Sequence, residues 1–352
     1  MRTTASWQAD GPASTADGPA STLRRTPLKR RDLRPDDLAV RVDYCGVCHT
    51  DLHAVQARDD GQPLVPGHEF TGVVTETGPE VTGFAVGDAV AVGNIVDSCG
   101  TCAMCRADQE NFCHAFPTLT YGGVDRHDGS TTQGGYSREY VVRADFAYPL
   151  PPGLDPAAAA PLLCAGITVW EPLRALDVGP GARVAVAGLG GLGHLAVKIA
   201  VALGAETSVI SRSRDKADDA HRLGAHEVIV STDPDQMAAA RDRFDVVIDT
   251  IAAPHDLGPY LRVVAMDGTL SHLGHLGPVT LETTDLLIGR KRLSSAGSGG
   301  RPATAAMLAF CAEHGITADI EVLPSARVNE ALDRLRRNDV RYRFVLDLSD
   351  LD

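Results

Sequence analysis

Between positions 38 and 96 the apolar residues come in short Val-rich runs, AVRVDY (39–44), GVVTETG (72–78) and DAVAVGN (88–94), broken by Gly, Pro and Asp. Short β-branched runs bounded by turn formers predict strands. Their close spacing predicts a small, Gly-rich, β-barrel-like domain over residues 1–150. The pattern changes beyond Pro151 and Pro152. RVAVA (183–187) is a β-branched run, 194–203 reads as an apolar helix, and TSVIS (207–211) follows. Then come an amphipathic helix near 215–223, EVIVS (227–231), DVVIDT (245–250) and GTLSHLG (268–274). Strands alternating with helices predict an α/β fold with a doubly wound parallel sheet over 151–300. The remainder, 301–352, carries helices around 304–313 and 329–337 and a closing strand, YRFVLDL (342–348).

Length and charge narrow the function. At 352 residues and 44% hydrophobic content the chain can bury two cores. No apolar run is long enough to cross a bilayer, and the first residues lack the apolar stretch of a secretory signal, so a cytoplasmic protein is expected. A formal charge of −13 disfavours nucleic acid and anionic membrane as partners. The local exception is the basic run from Arg24 to Arg34, read as a solvated strand-and-loop surface. Residues 9–15 and 16–22 are tandem copies of ADGPAST and are expected to form a loosely held extension without chemistry.

Two stretches carry candidate chemistry on spacing alone. Gly188, Leu189, Gly190, Gly191, Leu192 and Gly193 follow an expected strand and open an expected helix. That context turns a weak glycine pattern into a dinucleotide site, with the diphosphate at the helix N-terminus. The second strand of this unit ends in Ser211, Arg212, Ser213 and Arg214, with Lys216 beyond, where an NAD site usually places a carboxylate. Hydroxyls and cations suit a 2′-phosphate, so NADP(H) is expected.

Of eight cysteines, Cys99, Cys102, Cys105 and Cys113 fall within fifteen residues. Four thiolates with no open position describe a structural zinc site. An iron–sulfur run would space its fourth cysteine differently and follow it with proline. The string CGVCH at 45–49 could anchor haem, act as a redox pair or ligate a metal. Haem attachment needs export, and a redox pair belongs beside a βαβ pattern, which leaves the metal. Further ligand candidates are His68 and Glu69 in PGHE and Cys164 in PLLCAGIT.

CGVCHTDLH, PGHEFTG, the four-cysteine lobe, GGYS, PLLCAGIT, GLGGLGH and NDVRYRFVLDL together resemble the zinc-dependent medium-chain alcohol dehydrogenases, in the cinnamyl-alcohol-dehydrogenase-like branch of NADP(H)-dependent aldehyde reductases. The resemblance implies a GroES-like catalytic domain to which residues 301–352 return, a Rossmann domain, two zinc ions per chain (one catalytic, one structural) and a homodimer. It makes Cys48, His68 and Cys164 the catalytic zinc ligands, with Glu69 able to take or leave the fourth position and Asp51 orienting the histidine. Cys45 and Cys311 become buried thiols. Thr50 and His53 match a proton relay, and His49, Thr168, Thr250 and Ser298 match cofactor contacts. The expected reaction interconverts primary alcohols and aldehydes. An NADPH-dependent reduction of C=C or C=N bonds and a sensing role without turnover are the alternatives. The resemblance departs at AVQARDDGQPLV (54–65), which lacks the pocket aromatic of relatives, and at the short loop from Ser298 to Arg301. Both departures imply a wider or more polar substrate pocket.

Overall fold

The computed structural model describes residues 1–9, 22–56 and 62–352. The chain divides into two compact units, Met1–Cys164 with Gly299–Asp352, and Ala165–Ser298. No helix among the described residues is long and apolar enough to cross a membrane.

The spine of the first unit is the strand Asp37–Val47, whose Leu38, Val40 and Val42 are fully buried. On one edge it pairs with Phe70–Thr77; on the other it pairs with Glu139–Arg143 near its start and Arg343–Asp347 near its end. Ala89–Val92, Ala147–Pro149 and Ile320–Pro324 complete the sheet. The strands supplied by 320–324 and 343–347 are the return of the C-terminal segment to this unit. Phe70, Tyr136, Phe146 and Phe344 fill the core beneath. The texture change at Pro151 and Pro152 is not the edge of the unit. The turns Pro156–Ala159 and Ala160–Leu163 belong with the β-sheet: Thr71 donates to the Pro156 carbonyl at 2.8 Å, and Leu162 and Leu163 are buried.

The N-terminus departs from its sequence reading. Arg2–Ala9 and Leu23–Arg30 form an antiparallel hairpin, paired from Arg2 against Arg30 to Ala9 against Leu23. Of the duplicated ADGPAST segment, 10–21 lie outside the described residues. Its first residue, Ala9, ends a strand, is buried and bonds the Leu64 carbonyl at 2.8 Å. The basic run is only partly solvated. Arg30 is buried and donates to the carbonyls of Glu139, Gln133 and Gly134 and to Ser137 Oγ. Burial pushes its pKa down to about 10. Arg31 pairs with buried Asp37, and Arg34 grips Asp125 with two bonds of 2.9 and 2.8 Å. The cations are there to satisfy buried carbonyls and carboxylates.

The second unit is one parallel sheet, in the order Glu227–Val230, Glu206–Ser211, Arg183–Ala187, Phe244–Asp249, Val264–His272, Arg292–Ser294. The crossovers carry the helices Gly193–Ala202, Ala217–Arg222, Pro234–Ala239 and Gly258–Val263. Val184 through Ala187 are all fully buried, as a strand covered on both faces requires. The strand order reverses between Arg183–Ala187 and Phe244–Asp249, the crevice where open α/β sheets bind ligands. The helix Ala165–Ala175, with Pro172 inside it, opens the unit.

Candidate functional site

The strand Asp37–Val47 runs into the helix His49–Gln56, and Cys48 sits at the junction. His68 lies two residues before the paired strand Phe70–Thr77, and Cys164 caps the turn Ala160–Leu163. Far apart in sequence, the three converge: Cys48 Sγ lies 3.9 Å from Cys164 Sγ, and His68 Nε2 lies 3.2 Å from Cys164 Sγ. A tetrahedron with zinc–sulfur bonds of about 2.3 Å has edges of about 3.8 Å, so the donor set fits zinc.

Asp51 organises this cluster. It is fully buried; its Oδ1 accepts from Gly67 N and His68 Nδ1, each at 3.0 Å. Its Oδ2 accepts from Cys48 N at 2.9 Å and Tyr136 Oη at 3.2 Å. With Nδ1 committed to Asp51, His68 presents Nε2 to the sulfurs, the arrangement metal-bound histidines commonly need. Burial opposes a charge on His68, but Asp51 outweighs it and raises the pKa well above the usual imidazole value. The Cys164 hydrogen bond holds the Cys48 thiol well below its ordinary range, and Cys164 itself is pushed up. Cys45 is fully buried, with its thiol raised by burial, and Cys311 is pushed up to about 12 in the same way.

Of its two expected placements, in or out of the fourth position, Glu69 takes the second here. Its fully buried carboxylate pairs with Arg343, and it is not among the three converging donors. Burial lifts its pKa to about 8 against the pull of that guanidinium. Arg343 and Tyr136 are the residues that sequence reasoning missed. An arginine inside the closing run YRFVLDL was the available signal for the first, and GGYS contained the second.

Thr50 and His53 share one face of the helix His49–Gln56, three residues apart, and both are exposed. Thr50 Oγ1 lies 3.6 Å from Cys48 Sγ. The rings of His49 and His53 are 6.3 Å apart, and burial lowers the pKa of His49.

The four-cysteine lobe is built from tight turns around Ala103–Arg106 and Glu110–Phe112. Cys99, Cys102, Cys105 and Cys113 place all four sulfurs within 4.8 Å of one another. Backbone N–H groups of Cys102 and Cys105 point at Cys99 Sγ and Cys102 Sγ, at 3.4 and 3.5 Å. Such bonds favour thiolates: backbone N–H groups of Thr101 and Cys102 bring Cys99 down to about 5, while burial keeps Cys105 up at about 11. The donor set fits a closed zinc site. The C-terminal segment latches onto this lobe, with Arg301 N and Nε bonding Glu110 at 2.9 and 2.8 Å.

In the second unit the glycine turn follows Arg183–Ala187 and leads into Gly193–Ala202. Gly188 has φ +88°, a left-handed conformation that favours glycine, and a Cβ on Gly193 would meet the Gly188 carbonyl at 2.0 Å. Nothing lies within 4 Å of a Cβ on Gly190, so that side of the turn is open to a ligand. Thr250 Oγ1 donates into the carbonyls of Ala187 and Gly188, at 2.9 and 3.0 Å, and Lys216 Nζ holds the Leu189 carbonyl at 2.8 Å. These two therefore shape the turn. Ser211 ends its strand, Arg212 is exposed, and Ser213 bonds Asp215 at 2.9 Å. Ser298 N bonds Thr168 Oγ1 at 3.4 Å.

Residues 34–152 match the alcohol dehydrogenase GroES-like domain and 191–313 match the zinc-binding dehydrogenase family. The chain belongs to the zinc-dependent medium-chain alcohol dehydrogenases, in the cinnamyl-alcohol-dehydrogenase-like branch, and is an oxidoreductase of that class. It is 45% identical over 332 residues to a probable formaldehyde dehydrogenase of Bacillus subtilis, covering 94% of this chain and 95% of that one. An NADP-dependent alcohol dehydrogenase C of Mycobacterium tuberculosis is 43% identical, covering 94% and 96%. Among solved structures, a cinnamyl alcohol dehydrogenase from Sorghum bicolor superimposes with a TM-score of 0.92 at 42% identity, covering 98% of each chain.

Proposed function

We propose that the protein is an NADPH-dependent aldehyde reductase interconverting aldehydes and primary alcohols, with two zinc ions per chain. The convergence of Cys48, His68 and Cys164 around one point carries the reading, since three protein donors leave a four-coordinate ion one open position. When bound, zinc supplies Lewis-acid polarisation of a carbonyl oxygen and NADPH supplies the hydride. The protein's own part is orientation and proton supply. Asp51 fixes His68; Thr50, beside Cys48, bonds the substrate oxygen; His53, exposed on the next turn, exchanges the proton with solvent. Cys99, Cys102, Cys105 and Cys113 hold the second, structural zinc. Gly188 to Gly193 receive the diphosphate and Ser211, Arg212 and Ser213 the 2′-phosphate, with Lys216 and Thr250 holding the turn. His49, Thr168 and Ser298 complete the cofactor contacts. The relatives named as NADP-dependent, and a Helicobacter pylori enzyme of 31% identity and TM-score 0.87 solved with NADP(H), support that cofactor. The protein works in the cytoplasm as a homodimer.

Steady-state oxidation of NADPH and NADH with a panel of aldehydes tests the reading. The expected result is turnover preferring NADPH, with Thr50→Val lowering kcat by about 10²–10⁴. Full aldehyde turnover by that variant, reduction confined to C=C or C=N bonds, or no turnover would overturn it.

A further inference from the structure

The Rossmann unit holds a third group of metal-ligating side chains, outside the two thiolate sites. Asp249 and His272 end neighbouring parallel strands and stand directly opposite one another in the register. His255 reaches them from the loop after Asp249. His272 Nδ1 lies 2.6 Å and His255 Nε2 3.0 Å from the same oxygen, Asp249 Oδ2, and the ligand atoms of all three lie within 4.8 Å of one another. Asp249 is fully buried and His272 is only 6% exposed.

Hydrogen bonding within the group does not close. His255 Nδ1 is 2.9 Å from the Ala253 carbonyl, so that nitrogen carries a proton and donates it there. Nε2 lies beside the carboxylate, 3.0 Å from Asp249 Oδ2, yet makes no hydrogen bond there. His272 commits Nδ1 to Asp249, and its Nε2 is buried without any partner. Buried polar atoms are ordinarily satisfied, and two bare imidazole nitrogens beside a buried carboxylate are what a cation satisfies. A cavity of about 450 Å³, lined by His255, His272, His275 and Glu282, gives an ion a way in.

We propose that Asp249, His255 and His272 bind a third divalent transition ion, of the zinc, cobalt and nickel type that imidazole and carboxylate favour. The test uses the full-length protein with its thiolate sites filled with zinc, titrated with Co2+. Wild type should take up one more ion per chain than His255→Gln or His272→Gln. Its visible cobalt bands should lack the near-ultraviolet charge transfer that a sulfur ligand would add. Each variant should bind the additional cobalt at least about tenfold more weakly, with wild-type zinc content and circular dichroism. No additional cobalt on wild type, equal uptake by the variants, or a sulfur-to-cobalt band would overturn the proposal. Should a variant fail to fold, the wild-type stoichiometry and spectrum decide alone.

Discussion

Replacing Asp51 by asparagine tests the architecture of the Cys48–His68–Cys164 cluster without touching a donor atom. Each carboxylate oxygen of Asp51 accepts one backbone N–H, Gly67 at Oδ1 and Cys48 at Oδ2. Whichever way an asparagine amide is turned, its NH2 group therefore opposes a backbone donor in a fully buried site. Leaving such a donor unsatisfied costs about 1–3 kcal/mol. His68 also loses the charged acceptor that fixes its tautomer, and losing such an outer partner typically costs about 10–100-fold in metal affinity. That is about 1.4–2.7 kcal/mol, in line with the hydrogen-bond estimate. Zinc release to a chromogenic chelator reads the effect, and the four-cysteine lobe serves as an internal reference. One zinc per chain should leave about 10–100 times more readily, while the other keeps its wild-type behaviour. Tyr136→Phe removes the 3.2 Å bond to Asp51 and a longer 3.5 Å contact to the Gly46 carbonyl but leaves no buried N–H opposed, so it should weaken retention by less than about tenfold. Wild-type retention of both ions by Asp51→Asn would refute the assigned role.

Two further outcomes follow from the same geometry. Cys113→Ser removes one of four donors from a lobe held largely by its own turns; it should lose the structural zinc and raise protease sensitivity near 99–116, as limited proteolysis would show, and an unchanged cleavage pattern would count against it. Asp125 tests linkage: burial raises its pKa, but the Arg34 fork and the backbone N–H groups of His127 and Asp128 win and bring it from 3.8 to about 2. Its folded pKa is depressed, so its stabilisation is complete above about pH 4 and fades as pH falls toward about 2. Asp125→Asn should therefore melt below wild type at neutral pH, with the gap closing in that acid window; a gap independent of pH would refute the assignment.

What the sequence made legible shares one property: the signal is local. The four cysteines fall within one short lobe, so spacing alone brings them together. RVAVA, EVIVS and DVVIDT are continuous apolar runs because both faces of a parallel strand are covered, and each lies within a few residues of its observed strand. Cys48, His68 and Cys164 have no such spacing, and only the family resemblance pointed to their meeting. The hairpin of Arg2–Ala9 with Leu23–Arg30 was hidden because its burial comes from distant partners, such as Leu64 and the carbonyls at 133, 134 and 139.

Glu69 shows the same limit from the other side. Its position in PGHE, one residue from His68, suggested a ligand, and nothing nearby in sequence argued otherwise. A carboxylate fully buried beneath a sheet still needs a cation, and Arg343, 274 residues away, supplies it. Turning Glu69 toward the cluster would take the carboxylate partner from Arg343, which is 4% exposed, and breaking a buried pair in that way costs about 3–5 kcal/mol. A fourth protein ligand would have to repay that loss before any bond to a metal counted as gain, so the Arg343 pair favours a cluster of three protein donors.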